Sequence, residues 1–498
     1  MKSKLPLLLI ILLALGVRLV GIQSRPIWYD EAFAILFSGK GLSAMLYGTL
    51  APTGTGSADI HPLGYYTILW LWTNVFGQTL VAARALSILF SLVSLILIHQ
   101  ISLGLFDAKT AIVSAGVFSI LPFQIHFAQE IRMYSALTMW LLLATLAFLR
   151  ARSGNWTWWI VFAVSSAFAQ YTHNLAVIYL IPLALTPLLQ RDWKTFRSLV
   201  LAGLGAMLLY LPWLIQLPAQ FSKVSASYWV IRPGVEKMFT LLLFYLPHLP
   251  LPGSALPIGL LIAVFTIALA SFQTYLDWKT KNPSATRALW TAYLAFIPPL
   301  VLWLVSQIVP VYIERALLPS HAMFCIWLAW AFTQIKLPRP IQVVAFTLIL
   351  TSAGMGIYEH VTYKGFPYVP SELPESIETR QKKGDVVIHS SKLSYLPTLY
   401  YNHNLPQGFI PDPPNSSVDT LAPATQQVLG LQSFKDIRSA STTTNASRVW
   451  FIIYQQSLDE YAQAEKIHPH LEYLGKHFEL ESVEEWGDLR VYLYIEPD

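Results

Sequence analysis

Apolar runs of near-bilayer length alternate with short polar turns from residue 5 to residue 358. Each full crossing of a bilayer takes about 20 residues, and this alternation predicts about eleven membrane-spanning helices. The first run, 5–22, is interrupted only by Arg18. The others cover 80–103, 110–127, 135–149, 156–171, 175–189, 199–217, 256–275, 288–308, 316–332 and 341–358. Two further apolar stretches, 61–76 and 238–252, are too short or too proline-broken to cross, and read as juxtamembrane helices lying at the interface.

The pattern changes near residue 359, where charges return and apolar positions alternate. Segments 385–389, 448–454 and 489–495 read as strands, 370–382 and 458–474 as helices, and the Pro/Asn-rich 405–423 as loop. The expected fold is therefore a polytopic α-helical membrane domain over 1–358, followed by a small soluble α/β domain over 359–498.

Composition sharpens this picture. Of 498 residues, 54% are hydrophobic and only 12% charged, against roughly 25% charged in an ordinary soluble domain. The basic residues are also ordered along the chain. Lys2 and Lys4 precede the first span, and the turns expected on the same side carry Lys109, Arg150, Arg152, Arg191, Lys194, Arg197, Lys279, Lys281, Arg287, Lys336 and Arg339. The positive-inside rule then places the N-terminus in the cytoplasm and the C-terminal domain outside. A signal peptide is the rival for the first run, but Arg25-Pro26 follows it instead of a small-residue cleavage site. The single cysteine, Cys325, excludes an internal disulfide and a Cys-based zinc site. Asn-x-Ser/Thr sequons occur at Asn155, Asn415 and Asn445, and the first falls on the expected inner side.

The charges of the expected outer loops carry the candidate chemistry. Asp30 and Glu31 stand together just after the first span, in Arg25-Pro26-Ile27-Trp28-Tyr29-Asp30-Glu31. Acids kept beside hydrocarbon are costly and point to function. Glu130 and Arg132 follow in Gln129-Glu130-Ile131-Arg132-Met133-Tyr134, and Glu314-Arg315 in a later outer loop. A mixed acid and base cluster of this kind suits a phosphate-bearing substrate with a proton to remove.

Together with His61-Pro62-Leu63-Gly64-Tyr65-Tyr66 and Glu314-Arg315-Ala316-Leu317-Leu318-Pro319, these motifs resemble the GT-C glycosyltransferases. The similarity is to the dolichyl-phosphate-mannose protein mannosyltransferase-like group (glycosyltransferase family 39), which includes the lipid A aminoarabinose transferase. It covers roughly residues 1–358. Each motif alone is weak, and their order and shared side make the set specific. The resemblance implies a GT-C-like fold and sugar transfer from a polyprenyl-phosphate donor to a lipid, glycan or protein acceptor, with inversion at the anomeric carbon.

It also implies roles. Asp30 becomes the base that takes the acceptor proton; as a plain residue it also suits a helix N-cap for the apolar run behind it. Successive helix positions point about 100° apart, so Glu31 is a positioning or metal-binding residue instead. Glu130 is the second acid, and with Glu31 forms the expected set for a divalent cation such as Mg2+ or Mn2+. Arg132, Arg315 and Arg84 are the candidates for the donor phosphate, since guanidinium grips phosphate bidentately. Each alternatively snorkels to the interface. His61, Tyr134 and His173 are the candidate substrate contacts, and Trp28, Tyr29, Tyr65, Tyr66, Trp70 and Trp72 read as an interfacial aromatic belt. A transporter or flippase of lipid-linked sugars is the alternative class. It would favour charged or broken helices at mid-membrane and inverted repeats, whereas here the acids gather on one side.

Overall fold

The computed structural model describes residues 4–54, 56–226, 228–334, 338–412, 421–443 and 446–497. Lys336 and the sequons at Asn415 and Asn445 lie outside the described residues. The contacts divide the chain into two units. One comprises Met1–Ile22, Ile60–Ser225 and Val230–Thr362, the other Gln23–Asp59, Ala226–Trp229 and Tyr363–Asp498.

The first unit is helical. Helix α1 (Leu5–Leu19) opens it; α2 (Tyr29–Ser38) and α3 (Leu42–Leu50) belong to the other unit. Then come α4 (Gly64–Phe76), α5 (Leu80–Leu105), α6 (Ala108–Ile120), α7 (Pro122–Ala128), α8 (Tyr134–Ala151) and α9 (Thr157–Thr172). They are followed by α10 (Ala176–Leu189), α11 (Trp193–Leu214), α12 (Leu217–Ala226) and α13 (Glu236–Tyr245). The last four are α14 (Leu256–Lys279), α15 (Pro283–Ser306), α16 (Leu318–Gln334) and α17 (Arg339–Thr362).

Among the described residues seven helices are long and apolar enough to cross a membrane, or eight if the bent pair α6–α7 is one span; α1 and α10 are shorter apolar helices. The expected single span over 110–127 is therefore broken. Pro122 lacks the N–H that a continuing helix needs there, and the chain bends by 62° between α6 and α7. Stretches 61–76 and 238–252 contain the short helices α4 and α13.

Burial separates centre from rim. The span Glu314–Gln334 is 83% buried inside the protein and Tyr134–Ala151 is 78%, whereas Arg339–Thr362 is 28%. The two central helices carry many polar positions that only protein can satisfy. Thr138 and Thr145 return hydroxyl bonds to the carbonyls of Tyr134 and Leu141 at 2.9 and 2.8 Å.

Arg18, the one charge in the first run, is fully buried. Its guanidinium donates to Ser91 Oγ at 2.9 Å and to the carbonyls of Ala14 and Ser119 at 3.2 and 3.0 Å. Two acids of the basic turns, Asp107 and Asp192, are helix caps. Asp107 accepts from Thr110 N at 2.7 Å and Asp192 from Thr195 N at 3.0 Å, each such cap contributing about 1 kcal/mol. The backbone bond from Thr110 holds the Asp107 carboxyl below the usual range, and the Thr195 hydroxyl, then its N–H, does so for Asp192.

The second unit is built on a five-stranded mixed sheet. In chain order the strands are β1 (Ile27–Trp28), β2 (Pro52–Thr53), β3 (Gly56–Ser57), β4 (Tyr368–Val369) and β5 (Asp385–His389). After them come β6 (Gln407–Phe409), β7 (Arg448–Tyr454), β8 (Glu479–Trp486) and β9 (Leu489–Ile495). The sheet order is β6-β5-β7-β9-β8, with β5 parallel to β6 and β7, and the other pairs antiparallel.

Strands β5 and β7 are buried on both faces. Val386, Ile388, Val449 and Phe451 point into one core, and Val387, Trp450 and Ile452 into the other. Their unbroken apolar runs are what a central strand requires. The helix expected over 458–474 is two, Gln455–Gln463 and Pro469–His477. Pro469 forces the residue before it out of the helical region, and His468 is extended. The loop expected over 405–423 contains β6.

The first loop is woven into this second unit. Ile27 pairs with Val369 and Trp28 with Tyr368 in the ladder β1–β4. Ile27 N donates to Tyr401 Oη at 3.1 Å, Tyr47 Oη to Gln427 Oε1 at 3.3 Å, and Thr425 Oγ1 to the Gly48 carbonyl at 2.9 Å. The acids at 30 and 31 thus ride on a segment held by residues 368–427.

Candidate functional site

In the second unit Asp30 and Glu31 lie in the first turn of α2, where carboxylates favour the helix dipole. The N-cap position is Trp28, not Asp30, and Trp28 makes no side-chain cap bond. Glu31 is fully buried while Asp30 is half-buried. The two carboxylates therefore occupy different surroundings, as the 100° step predicts.

In the helical unit the remaining candidates gather at one end, where α8 starts, α9 ends and α16 starts. Arg132 is buried and its Nη1 donates to Tyr66 Oη at 3.0 Å. The guanidinium of Arg315 lies over the ring of Tyr134, 5.2 Å from its centre. Rings of His61 and His173 meet edge to face at 6.1 Å, and Tyr134 and His173 lie 5.8 Å apart. Tyr65 and Tyr66 are almost fully buried. This corrects their expected place in an interfacial belt: the face of α4 that carries them is inside the protein.

Arg84 is fully buried and donates to the Ile22 carbonyl at 2.8 Å, so it does not snorkel. Glu130 is also buried; its carbonyl accepts from Ser87 Oγ at 2.6 Å and from Arg132 N at 2.8 Å. Among the described residues no three His, Cys, Asp or Glu side chains are arranged to hold a metal ion. Glu31 and Glu130, the expected pair, fall in different units.

Further contacts shape this end. Gln129 Nε2 donates to the carbonyls of Arg18 and Val20 at 2.8 and 2.7 Å, which leaves Oε1 facing His360 Nε2 at 2.7 Å. His360 must donate there, so its Nδ1 accepts from His126 Nδ1 at 2.9 Å. This ordered chain ties the residue before Glu130 to the last turn of α17.

Lys237 Nζ meets Glu314 Oε1 at 2.6 Å beside Arg315. Tyr312 is buried with no hydrogen-bond partner for its hydroxyl among the described residues, and burial and then Glu314 push that phenol up, so it stays a protonated donor. Sequence reading passed over Gln129, His360 and Tyr312, because each takes its meaning from a partner far away in the chain. A Tyr two residues before Glu314-Arg315 was the one visible hint.

Close helix packing holds the histidines in place. A Cβ at Gly64 would lie 2.5 Å from the Tyr171 carbonyl oxygen, a backbone atom that cannot rotate away. Gly64→Ala is therefore expected to destabilise the protein by about 1–3 kcal/mol, read as a lower thermal midpoint of the detergent-purified chain. An unchanged midpoint would show that α4 and α9 move apart freely.

Comparison with known proteins follows this geometry. Residues 60–216 match the family model described as dolichyl-phosphate-mannose-protein mannosyltransferase. No curated protein sequence matches. Among solved structures the chain superposes on ArnT from Cupriavidus metallidurans in the apo state, with 14% identity, TM-score 0.63 and 99% of each chain covered. The same protein bound to undecaprenyl phosphate matches at 12% identity and TM-score 0.63, over 99% of this chain and 98% of that one. The Archaeoglobus fulgidus oligosaccharyltransferase, in complex with Zn and sulfate, matches at 10% identity and TM-score 0.55, over 95% of this chain and 71% of that one. The superpositions show that this chain shares its fold with ArnT and with the archaeal oligosaccharyltransferase.

Proposed function

We propose that this multi-pass membrane protein is a glycosyltransferase that moves a sugar from a polyprenyl-phosphate donor to an acceptor outside the membrane, with inversion. One observation carries the reading: Arg132, Arg315, His61 and His173 converge at a single end of a GT-C helical unit, within and beside the stretch that matches a mannosyltransferase family. A flippase is not favoured, since neither the family nor the superposed folds belong to transporters.

Asp30 accepts the acceptor hydroxyl proton as the new glycosidic bond forms, a contribution of about 10²–10⁴ in rate. Glu31 positions the loop, and Glu130 is the second acid. The lipid phosphate leaves as an anion and needs cations more than a proton; Arg132, Arg315 and Arg84 supply them. His61, Tyr134 and His173 contact the substrate. The N-terminus is cytoplasmic, residues 1–358 form the catalytic domain, and residues 359–498 form an extracytoplasmic domain.

The test is transfer from a panel of radiolabelled polyprenyl-phosphate sugars by the purified chain in liposomes, with host membrane extract as acceptor. A new labelled covalent product is expected. Label that crosses the bilayer with no new product would overturn the transferase reading and favour the flippase.

A further inference from the structure

His173 caps the end of α9 in an extended conformation and is 6% exposed. The N–H of Leu175 donates to its Nδ1 at 3.1 Å. That bond decides the tautomer, because a nitrogen that accepts carries no hydrogen. In the neutral ring the proton is therefore on Nε2. This Nε2 is buried and has no hydrogen-bond partner among the described residues. An unsatisfied buried donor costs about 1–3 kcal/mol, and more than 90% of such groups are paired in folded proteins.

The surroundings say what fits there. Burial holds the imidazole well below its ordinary 6.5, and His61, Arg132 and Arg315 add to the shift. A third cation beside two guanidinium groups is disfavoured, while a neutral N–H among them suits an anionic oxygen. The same geometry excludes a general base. The only lone pair of the ring is already engaged by Leu175 N, and the free edge already bears its hydrogen.

We infer that His173 is a fixed-tautomer donor whose Nε2–H binds a phosphate oxygen of the lipid donor, and that it neither gains nor loses a proton in turnover. This rests on the transferase reading above and specifies one atom of that site. The phosphate, and not the sugar, is the ligand group, since the flanking arginines recognise charge.

The test uses the full chain in nanodiscs and measures binding of geranylgeranyl phosphate, with geranylgeraniol as the probe that lacks the phosphate. Three variants are compared. His173→Gln carries an amide N–H that reaches the Nε2 position, His173→Asn reaches only Nδ1, and His173→Leu supplies neither. Losing a hydrogen bond to a charged group weakens binding by about 10-fold or more. His173→Leu and His173→Asn are expected to show that loss for the phosphate and none for the alcohol. His173→Gln should stay within a few-fold of wild type and share its pH profile between pH 5.5 and 8.

Undiminished phosphate binding in the Leu and Asn variants would overturn the inference. So would a wild-type affinity that rises below pH 6.5 while the Gln variant stays flat, since the ring would then be titrating. If the Leu and Asn proteins fail to fold, the comparison of wild type with His173→Gln still decides protonation and donor position. A wild-type chain that binds the alcohol and phosphate equally would fail the transferase reading itself, a distinct outcome.

Discussion

Asp30→Asn is expected to lower sugar transfer by about 10²–10⁴ with the fold and donor binding intact. The substitution is isosteric and removes only the carboxylate charge. Asp30 lies in the first turn of α2 and is not its N-cap, and its interaction with the helix dipole contributes about 0.3–1 kcal/mol. A thermal midpoint near wild type together with lost turnover would assign the residue to chemistry. Because Glu31 is fully buried and Asp30 only half-buried, Glu31→Gln should behave differently, with a larger loss of stability. Initial rates with saturating lipid-linked sugar measure both. Undiminished transfer in Asp30→Asn would remove this residue from the centre of the reaction and direct attention to Glu31 and Glu130.

Arg315→Ala is expected to raise the KM for the lipid donor by about 10-fold to 100-fold, the effect of losing a charge-assisted bond. The guanidinium lies over the ring of Tyr134, while the neighbouring Glu314 is engaged by Lys237. Lysine keeps the charge but has neither the plane nor the fork, so Arg315→Lys should recover only part of the loss. A KM unchanged in both variants would leave phosphate recognition to Arg132 and Arg84.

Much of the architecture follows from the sequence alone. Short runs rich in β-branched and aromatic residues between polar turns read as strands, and 385–389, 448–454 and 489–495 are found with the bounds so predicted. Length and apolarity predict about eleven spans, of which seven, or eight with the bent pair, are long and apolar enough to cross among the described residues. The motifs containing Asp30, Glu130, Arg132 and Arg315 were also legible, because charge beside hydrocarbon is expensive wherever it occurs.

Tertiary structure decided the rest, where the deciding partner is distant in the chain. Strand β8 is half-exposed and rich in glutamate, and only pairing with β9 makes it a strand. The two-residue ladder of Ile27–Trp28 with Tyr368–Val369 has no periodicity to read, yet it ties the Asp30 loop to the sheet unit. Tyr65 and Tyr66 looked interfacial and are buried, since aromatic composition does not say which face of a helix meets protein. The proton of His173 depends on one backbone bond from Leu175. Composition and spacing specify local preference, whereas hydrogen-bond direction and burial belong to the folded chain as a whole.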